Sequence, residues 1–156
     1  MITIVQRVRS AAVTVDGATV GAIARGLMLL VGIERGDSEQ DADTTVTKLS
    51  KLRCFPGRTP MDQSVRDIDG GCLVVSQFTL AGSLEKGNRP SFTHAEDPAR
   101  AEVLYERIAR GFAEQGITTA TGRFGATMAV AIDNDGPVTF VLTVRDGKVV
   151  DHQNDG

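Results

Sequence analysis

The chain has 156 residues, of which 41% are hydrophobic and 24% charged, with a formal net charge of −3. That is the length of one domain and the composition of an ordinary globular protein, so disordered, collagen-like and coiled-coil classes are excluded. An overall negative charge also argues against a general nucleic-acid coat protein, although a few placed Lys and Arg side chains can still grip the end of an RNA.

Residues 2–24 alternate apolar and polar with many β-branched side chains, and Asp16-Gly17 divides them with a pair suited to a two-residue hairpin turn. Two antiparallel strands are predicted. The apolar run Leu27 to Ile33 is short enough to be a strand buried on both faces, and far below the roughly 18 residues of a membrane-spanning helix. Asp37 or Ser38 can cap a helix over about 38–52, with Ala42, Val46 and Leu49 on one face. After Pro56-Gly57 a loop runs to Gly70-Gly71, and a central strand is then expected from Cys72 through Val74 and Ser76 to Thr79.

Leu80 to Glu96 is rich in Gly, Ser, Asn and Pro and too long for a mere connector. Asp97 caps and Pro98 opens a second helix, with Leu104, Ile108 and Phe112 as its apolar stripe and Gly116 as its stop. Three more strands are predicted at 117–121, 126–133 and 138–145, the last two joined across the turn Asn134 to Pro137. The order ββ-βα-βα-βββ favours a single α/β domain over residues 1–145 in three α/β/β layers with mixed sheets. Residues 146–156 read as a short C-terminal extension.

Familiar catalytic machinery is missing. No glycine-rich phosphate loop and no G-x-S-x-G elbow occurs, and neither His94 nor His152 has a neighbour at zinc-ligand spacing, so no metal and no cofactor is expected. Cys54 and Cys72 sit in apolar settings and read as buried free thiols. The start of the chain lacks a basic stretch followed by an apolar core, so a cytoplasmic protein without a membrane segment is expected.

Two segments invite a functional reading: Ser76-Gln77-Phe78-Thr79-Leu80 at a strand end, and Asn134-Asp135-Gly136-Pro137-Val138-Thr139 at a turn. Alone, each is satisfied by backbone needs. Together with Gln6-Arg7-Val8, the stretch Lys86 to Phe92, and Thr121-Gly122-Arg123-Phe124-Gly125-Ala126, the chain resembles the D-aminoacyl-tRNA deacylase family from Met1 to about Leu142. The resemblance implies hydrolysis of the ester between a D-amino acid, or glycine, and the terminal adenosine of tRNA, a proofreading step in translation.

It further implies a homodimer in which Ser76, Gln77, Phe78 and Thr79 of one subunit meet the Gly136-Pro137 turn of the other, with a cis peptide bond at that turn and Arg7 bracing it. Backbone N–H groups near Phe78 and Thr79 are then the candidates for oxyanion stabilisation, and Thr79 as a covalent nucleophile is the rival, weakened by the lack of a base. The sequence departs from the family pattern at Thr127, at Asp62-Gln63 and beyond Leu142. The alternative functions are a non-catalytic RNA-end or nucleotide-binding module of the same fold, and a small-molecule esterase.

Overall fold

The computed structural model describes residues 1–150. Its first strand, β1 (Ile2–Val15), turns at Asp16-Gly17 into β2 (Ala18–Ile23), and both turn residues have positive φ, 51° and 79°, as this hairpin class requires. Strand β3 (Gly26–Gly32) leads to helix α1 (Glu39–Lys51), β4 (Gly71–Ser76) to helix α2 (Pro98–Glu114) and then β5 (Thr118–Thr121). The chain closes with β6 (Ala129–Arg145) and β7 (Lys148–Val150).

Ser38 is the cap of α1, and its partner is Asp41: the Ser38 hydroxyl accepts from Asp41 N while the Asp41 carboxylate accepts from Ser38 N at 2.9 Å. Asp97 caps α2 by accepting from Ala99 N, with Pro98 in the first turn, where its missing N–H costs nothing.

All seven strands form one mixed sheet in the order β5-β4-β3-β1-β6-β7, with β2 paired to the far half of β1. β3, β4 and β5 are parallel because a helical crossover separates each from the next, whereas every other pairing is antiparallel. Both faces of β3 and β4 are buried, which is why they read as unbroken apolar runs. Leu27, Leu29, Val31, Cys72 and Val74 pack with Val46 and Leu49 of α1 and Leu104, Ile108 and Phe112 of α2. The intervening Met28, Leu73 and Val75 instead join Val8, Val13 and Ile23 in a second core. The predicted α/β/β layering is therefore present, and both β layers belong to a single curled sheet rather than to separate ones.

Three elements differ from the sequence reading. The strand expected to reach Thr79 stops at Ser76, because Gln77 N makes the last bond to β3, to Val31 O at 2.7 Å, and Phe78–Ala81 winds into a 3₁₀ turn closed by Gly82 N to Thr79 O at 2.9 Å. The two strands expected at 126–133 and 138–145 are one, since β1 pairs with β6 on both sides of the Asn134–Pro137 segment.

The extension begins with a further strand. Asp146 and Gly147, with φ 52° and 74°, repeat the geometry of the first hairpin, and β7 follows. Gly147 N donates to Asp41 Oδ1 at 2.7 Å and the Thr44 hydroxyl to Gly147 O at 2.8 Å, tying that hairpin to α1. The rest of the extension, with His152, lies outside the described residues.

The curl is closed where β2 crosses β5. A Cβ built on Gly21 would lie 2.1 Å from the Thr121 carbonyl oxygen and 3.4 Å from Leu73 Cδ1. No side chain fits there, and the obstacle is backbone. Gly21→Ala is expected to destabilise the fold by about 1–3 kcal/mol, as overpacking of a filled interior does. Urea unfolding checks this as a lower midpoint at unchanged slope.

A candidate active site divided between two ends of the sheet

The Phe78–Ala81 turn leaves backbone donors free. The N–H groups of Phe78 and Thr79 bond to no acceptor among the described residues, since the first bond closing the turn is Leu80 N to Gln77 O at 3.2 Å. Both residues are exposed, and the Phe78 ring meets Phe92 edge-on with centroids 5.2 Å apart. Phe92 arrives from the long 80–96 segment. That segment is pinned rather than structureless: Ser83 and Ser91 exchange two backbone bonds at 2.7 and 2.9 Å, and Arg35 N reaches His94 O at 2.9 Å.

The Thr79 hydroxyl accepts a short hydrogen bond from the Gln77 side-chain amide. An amide N–H cannot take a proton from a hydroxyl, and among the described residues no His, Lys or carboxylate bonds to Ser76 or Thr79. Other nucleophiles are equally unsuited. Cys54 and Cys72 are free and buried, and burial pushes their thiols up to about 11 and about 12. The Tyr105 hydroxyl is spent inside the core on Val74 O at 2.9 Å.

The second set of residues forms a blister on β6. Gln6 pairs with Thr139 and Val8 with Asn134, so two steps along β1 face five along β6, and the surplus residues around Gly136-Pro137 are pushed out of the ladder opposite Arg7. The Gly136-Pro137 bond is cis and Gly136 has φ 123°, a conformation essentially reserved for glycine. A Cβ there would also lie 2.8 Å from Val138 Cγ2 and 3.2 Å from Arg7 Nη2.

Side chains hold the blister at both feet. The Asn134 amide donates to Arg7 O at 3.0 Å and to Val138 O at 3.2 Å, spanning the base of the loop. Arg7, nearly buried, donates from Nη1 to Cys54 O at 2.8 Å. Its Nε pairs with Asp135 Oδ2 at 3.2 Å as an ion pair without hydrogen-bond alignment. Arg9 Nη2 reaches the other Asp135 oxygen at 3.2 Å. Arg7 thus lies beside the turn, as the resemblance implied. Asn134, Asp135 and Arg9 were not foreseen as its partners: an ion pair between strands depends on register, and the bulge that sets this register leaves no mark in the sequence.

The two sets do not meet within one chain. Ser76 pairs with Val31 and Val31 with Thr3, whereas Arg7 pairs with Leu27 and Leu27 with Cys72. Gly136 therefore sits four residues along the strands and three strands across from Ser76, which at sheet spacings amounts to about 20 Å. Among the described residues no three His, Cys, Asp or Glu side chains are grouped to hold a metal ion.

Against this geometry the relatives are informative. The family model described as D-Tyr-tRNA(Tyr) deacylase matches residues 4–143. The D-aminoacyl-tRNA deacylase of Geobacter sulfurreducens is 50% identical over 143 residues, 91% of this chain and 94% of that protein. That of Aeromonas hydrophila is 50% identical over 145 residues, 92% and 100% of the two chains.

Among solved structures, the c-Myc DNA Unwinding Element Binding Protein superposes with TM-score 0.83 at 38% identity, covering 93% of this chain and 99% of that one. A probable eukaryotic D-amino acid tRNA deacylase shares the fold with TM-score 0.74 at 16% identity, over 90% of this chain and 97% of that one. A matching family model over most of the sequence and half-identity to full-length relatives, on a fold they share, place the chain in the D-aminoacyl-tRNA deacylase family.

Proposed function

We propose that the protein is a homodimeric hydrolase that cleaves the ester joining a D-amino acid, or glycine, to the 3′-terminal adenosine of tRNA. Its active site forms where the Ser76–Thr79 turn of one copy meets the Gly136-Pro137 turn of the other. The observation that carries this reading is the division of the site: two motifs about 20 Å apart in one chain, each exposed, and each equipped for half of the task. Ile132, Phe140 and Val141 leave apolar surface exposed on the strand that carries the blister, which suits burial against a second copy.

In this reading a water attacks the ester carbonyl carbon, and the oxyanion that develops accepts from the free N–H groups of Phe78 and Thr79. The tetrahedral intermediate then expels the ribose oxygen, which leaves as a hydroxyl. An aminoacyl ester is already activated, so fixed donors and an oriented water contribute more than a strong base, and the neighbouring 2′-hydroxyl of the substrate assists the attack. Backbone carbonyls of the Gly136-Pro137 turn accept from the substrate α-ammonium and orient the α-carbon so that an L side chain meets protein. Glycine, lacking a side chain, escapes this rejection. No helix among the described residues is long and apolar enough to cross a membrane. A tRNA-editing enzyme works where tRNA is charged and used, in the cytoplasm.

A second reading takes its support from the 38% identical neighbour whose name is that of a DNA-binding protein: a nucleic-acid-binding module without catalysis. Comparing hydrolysis of D- and L-aminoacyl-tRNA, with sedimentation of the same preparation, decides between them. D-selective release by a dimer is expected, and binding without release, or full activity in a monomer, would overturn the proposal.

If the donors are backbone groups, Thr79→Ala keeps the rate within about tenfold, because the amide survives the change. A loss approaching the roughly 10²–10³-fold that removal of an oxyanion donor costs would point to the hydroxyl, and a quenched acyl-threonine would establish it as the nucleophile.

Gly136→Ala should do the opposite. Its Cβ collides with Val138 in a backbone conformation closed to alanine, so the turn must move. Misalignment worth about 1.4 kcal/mol already lowers the rate tenfold, and D-aminoacyl hydrolysis is expected to fall at least that far with the dimer intact. Arg7→Ala should act more mildly, narrowing the D/L ratio before abolishing the reaction. An unchanged ratio in both variants would remove the turn from the selectivity argument.

A further inference from the structure

A run of cations begins directly beside the blister. Residues 48–67 carry five of them, Lys48, Lys51, Arg53, Arg58 and Arg66, against two carboxylates, in a chain whose overall charge is −3. All five are exposed. Two open grooves share Lys51 and Arg53: one runs between α1 and β7 past Lys48, and the other runs past Ser64 to Arg66. The anchor to the Gly136 turn is the bond from Arg7 Nη1 to Cys54 O, which places residue 54, and hence Arg53, against the same arginine that flanks the blister.

The carboxylates here are already committed. Asp62 accepts from Arg58 N at 2.7 Å and pairs with Arg53 Nη2 at 2.6 Å, and these two partners hold its carboxyl below the usual range. Asp67 closes its own turn by accepting from Ser64 N at 2.9 Å. Asp43, on the rim of the α1 groove, is held by Arg107 through two bonds of 2.8 and 2.9 Å. Among the described residues Lys48, Lys51, Arg58 and Arg66 have no carboxylate within ion-pair distance, and the Arg66 guanidinium bonds only to the neutral Gln115 amide.

The Asp62 bonds close the 53–62 loop on itself, so they fix where Arg53 and Arg58 stand without neutralising the strip. Open grooves lined by Lys48, Lys51 and Arg66, cations with no ion-pair partner among the described residues, do not enclose a small anion. They complement an extended polyanion lying along them.

We propose that the strip from the last turn of α1 through Arg58 to Arg66 binds the phosphate backbone of the tRNA, behind the aminoacyl end held at the Gly136-Pro137 turn. The inference rests on the reading of the protein as an enzyme of aminoacyl-tRNA. It assigns contacts to the body of the substrate that the hydrolytic groups themselves do not make. Backbone contacts of this kind position the RNA without reading its sequence, and each one released to solvent changes the salt dependence of binding by a little under one unit.

The test is a triple variant, Lys48→Gln, Lys51→Gln and Arg58→Gln, with Arg110→Gln on α2 as a control for loss of a cation outside the strip. Binding of uncharged tRNA is measured across a salt series, and hydrolysis of a D-aminoacyl ester of adenosine is measured on the same proteins. In the triple variant the tRNA Kd should rise at least about tenfold and the log–log salt slope should fall by about two to three, while the control stays at wild type. The adenosine ester should be hydrolysed at the wild-type rate, because it has no backbone to reach the strip.

An unchanged Kd and slope would overturn the strip and leave the deacylase reading standing, and so would an equal loss on both substrates. Wild-type protein that hydrolyses neither D-aminoacyl-tRNA nor the adenosine ester would sink the deacylase reading, while the salt series would still decide the strip.

Discussion

The antiparallel pairing of β1 with β6 is the contact on which the rest of this molecule hangs. It runs from Ile2 opposite Thr143 to Thr14 opposite Ala129, nearly the full length of both strands, and it is interrupted only where the Gly136-Pro137 segment is pushed out and where β1 itself gains a residue at Arg9. Fourteen residues are too many for one flat partner on the other edge, so β1 gives its first half to β3 and its second half to β2. Strand twist accumulated along such a length, with bulges that increase it, carries β2 around until Gly21 lies over Thr121. The second core, around Val13, Met28 and Leu73, exists because of that curl. The irregularity that bends the sheet also lifts Gly136 out of it.

If these turns form the site, as proposed, the arrangement accounts for hydrolysis with so few titratable groups. The Gln77–Thr79 side chains bond to each other, the thiols are buried and held protonated, and the histidine among the described residues contributes a backbone carbonyl to the loop. Backbone dipoles remain, and they are held still by secondary structure that forms for other reasons: a strand end that winds into a 3₁₀ turn, and a blister clamped by Asn134 and Arg7. Groups of that kind carry no information about side-chain identity. On the proposed reading, a site made from them discriminates by geometry at the α-carbon, which is what a proofreading step over many amino acids calls for.

Much of the scaffold was legible from residue chemistry. Asp16-Gly17, the apolar run from Leu27, the caps Ser38 and Asp97 and the stop at Gly116 each act locally, and the elements they bound formed as expected. Asp146-Gly147 carries the same turn signal as Asp16-Gly17, and the strand it introduces lies in the segment read only as a C-terminal extension. What stayed hidden depends on partners far away in sequence. A Gly-Pro pair between two β-rich segments reads as a hairpin turn unless one knows that β1 bridges both sides of it. Phe92 against Phe78, and Asp135 between Arg7 and Arg9, are likewise consequences of register and loop path. The departure at Asp62 has a structural use: its carboxylate and the exchange of bonds between Phe55 and Gln63 close the 53–63 loop.

The overall charge and the local charge answer different questions. A net −3 offers no long-range pull on RNA, and at physiological salt exposed charges are screened beyond about 8 Å. On the proposed reading of the strip, cations strung along open grooves therefore act only on a polyanion already at the surface. For an enzyme that must inspect the ends of many tRNAs and release each one, that division is favourable. On the proposed reading, weak general attraction keeps it from collecting on RNA at large, while the short-range contacts of the strip hold a tRNA whose end is in the turn. The acids that lower the net charge are largely tied to named partners, as Asp43 is to Arg107 and Asp135 to Arg9, so they offset the field at a distance without occupying the unpaired cations beside the site.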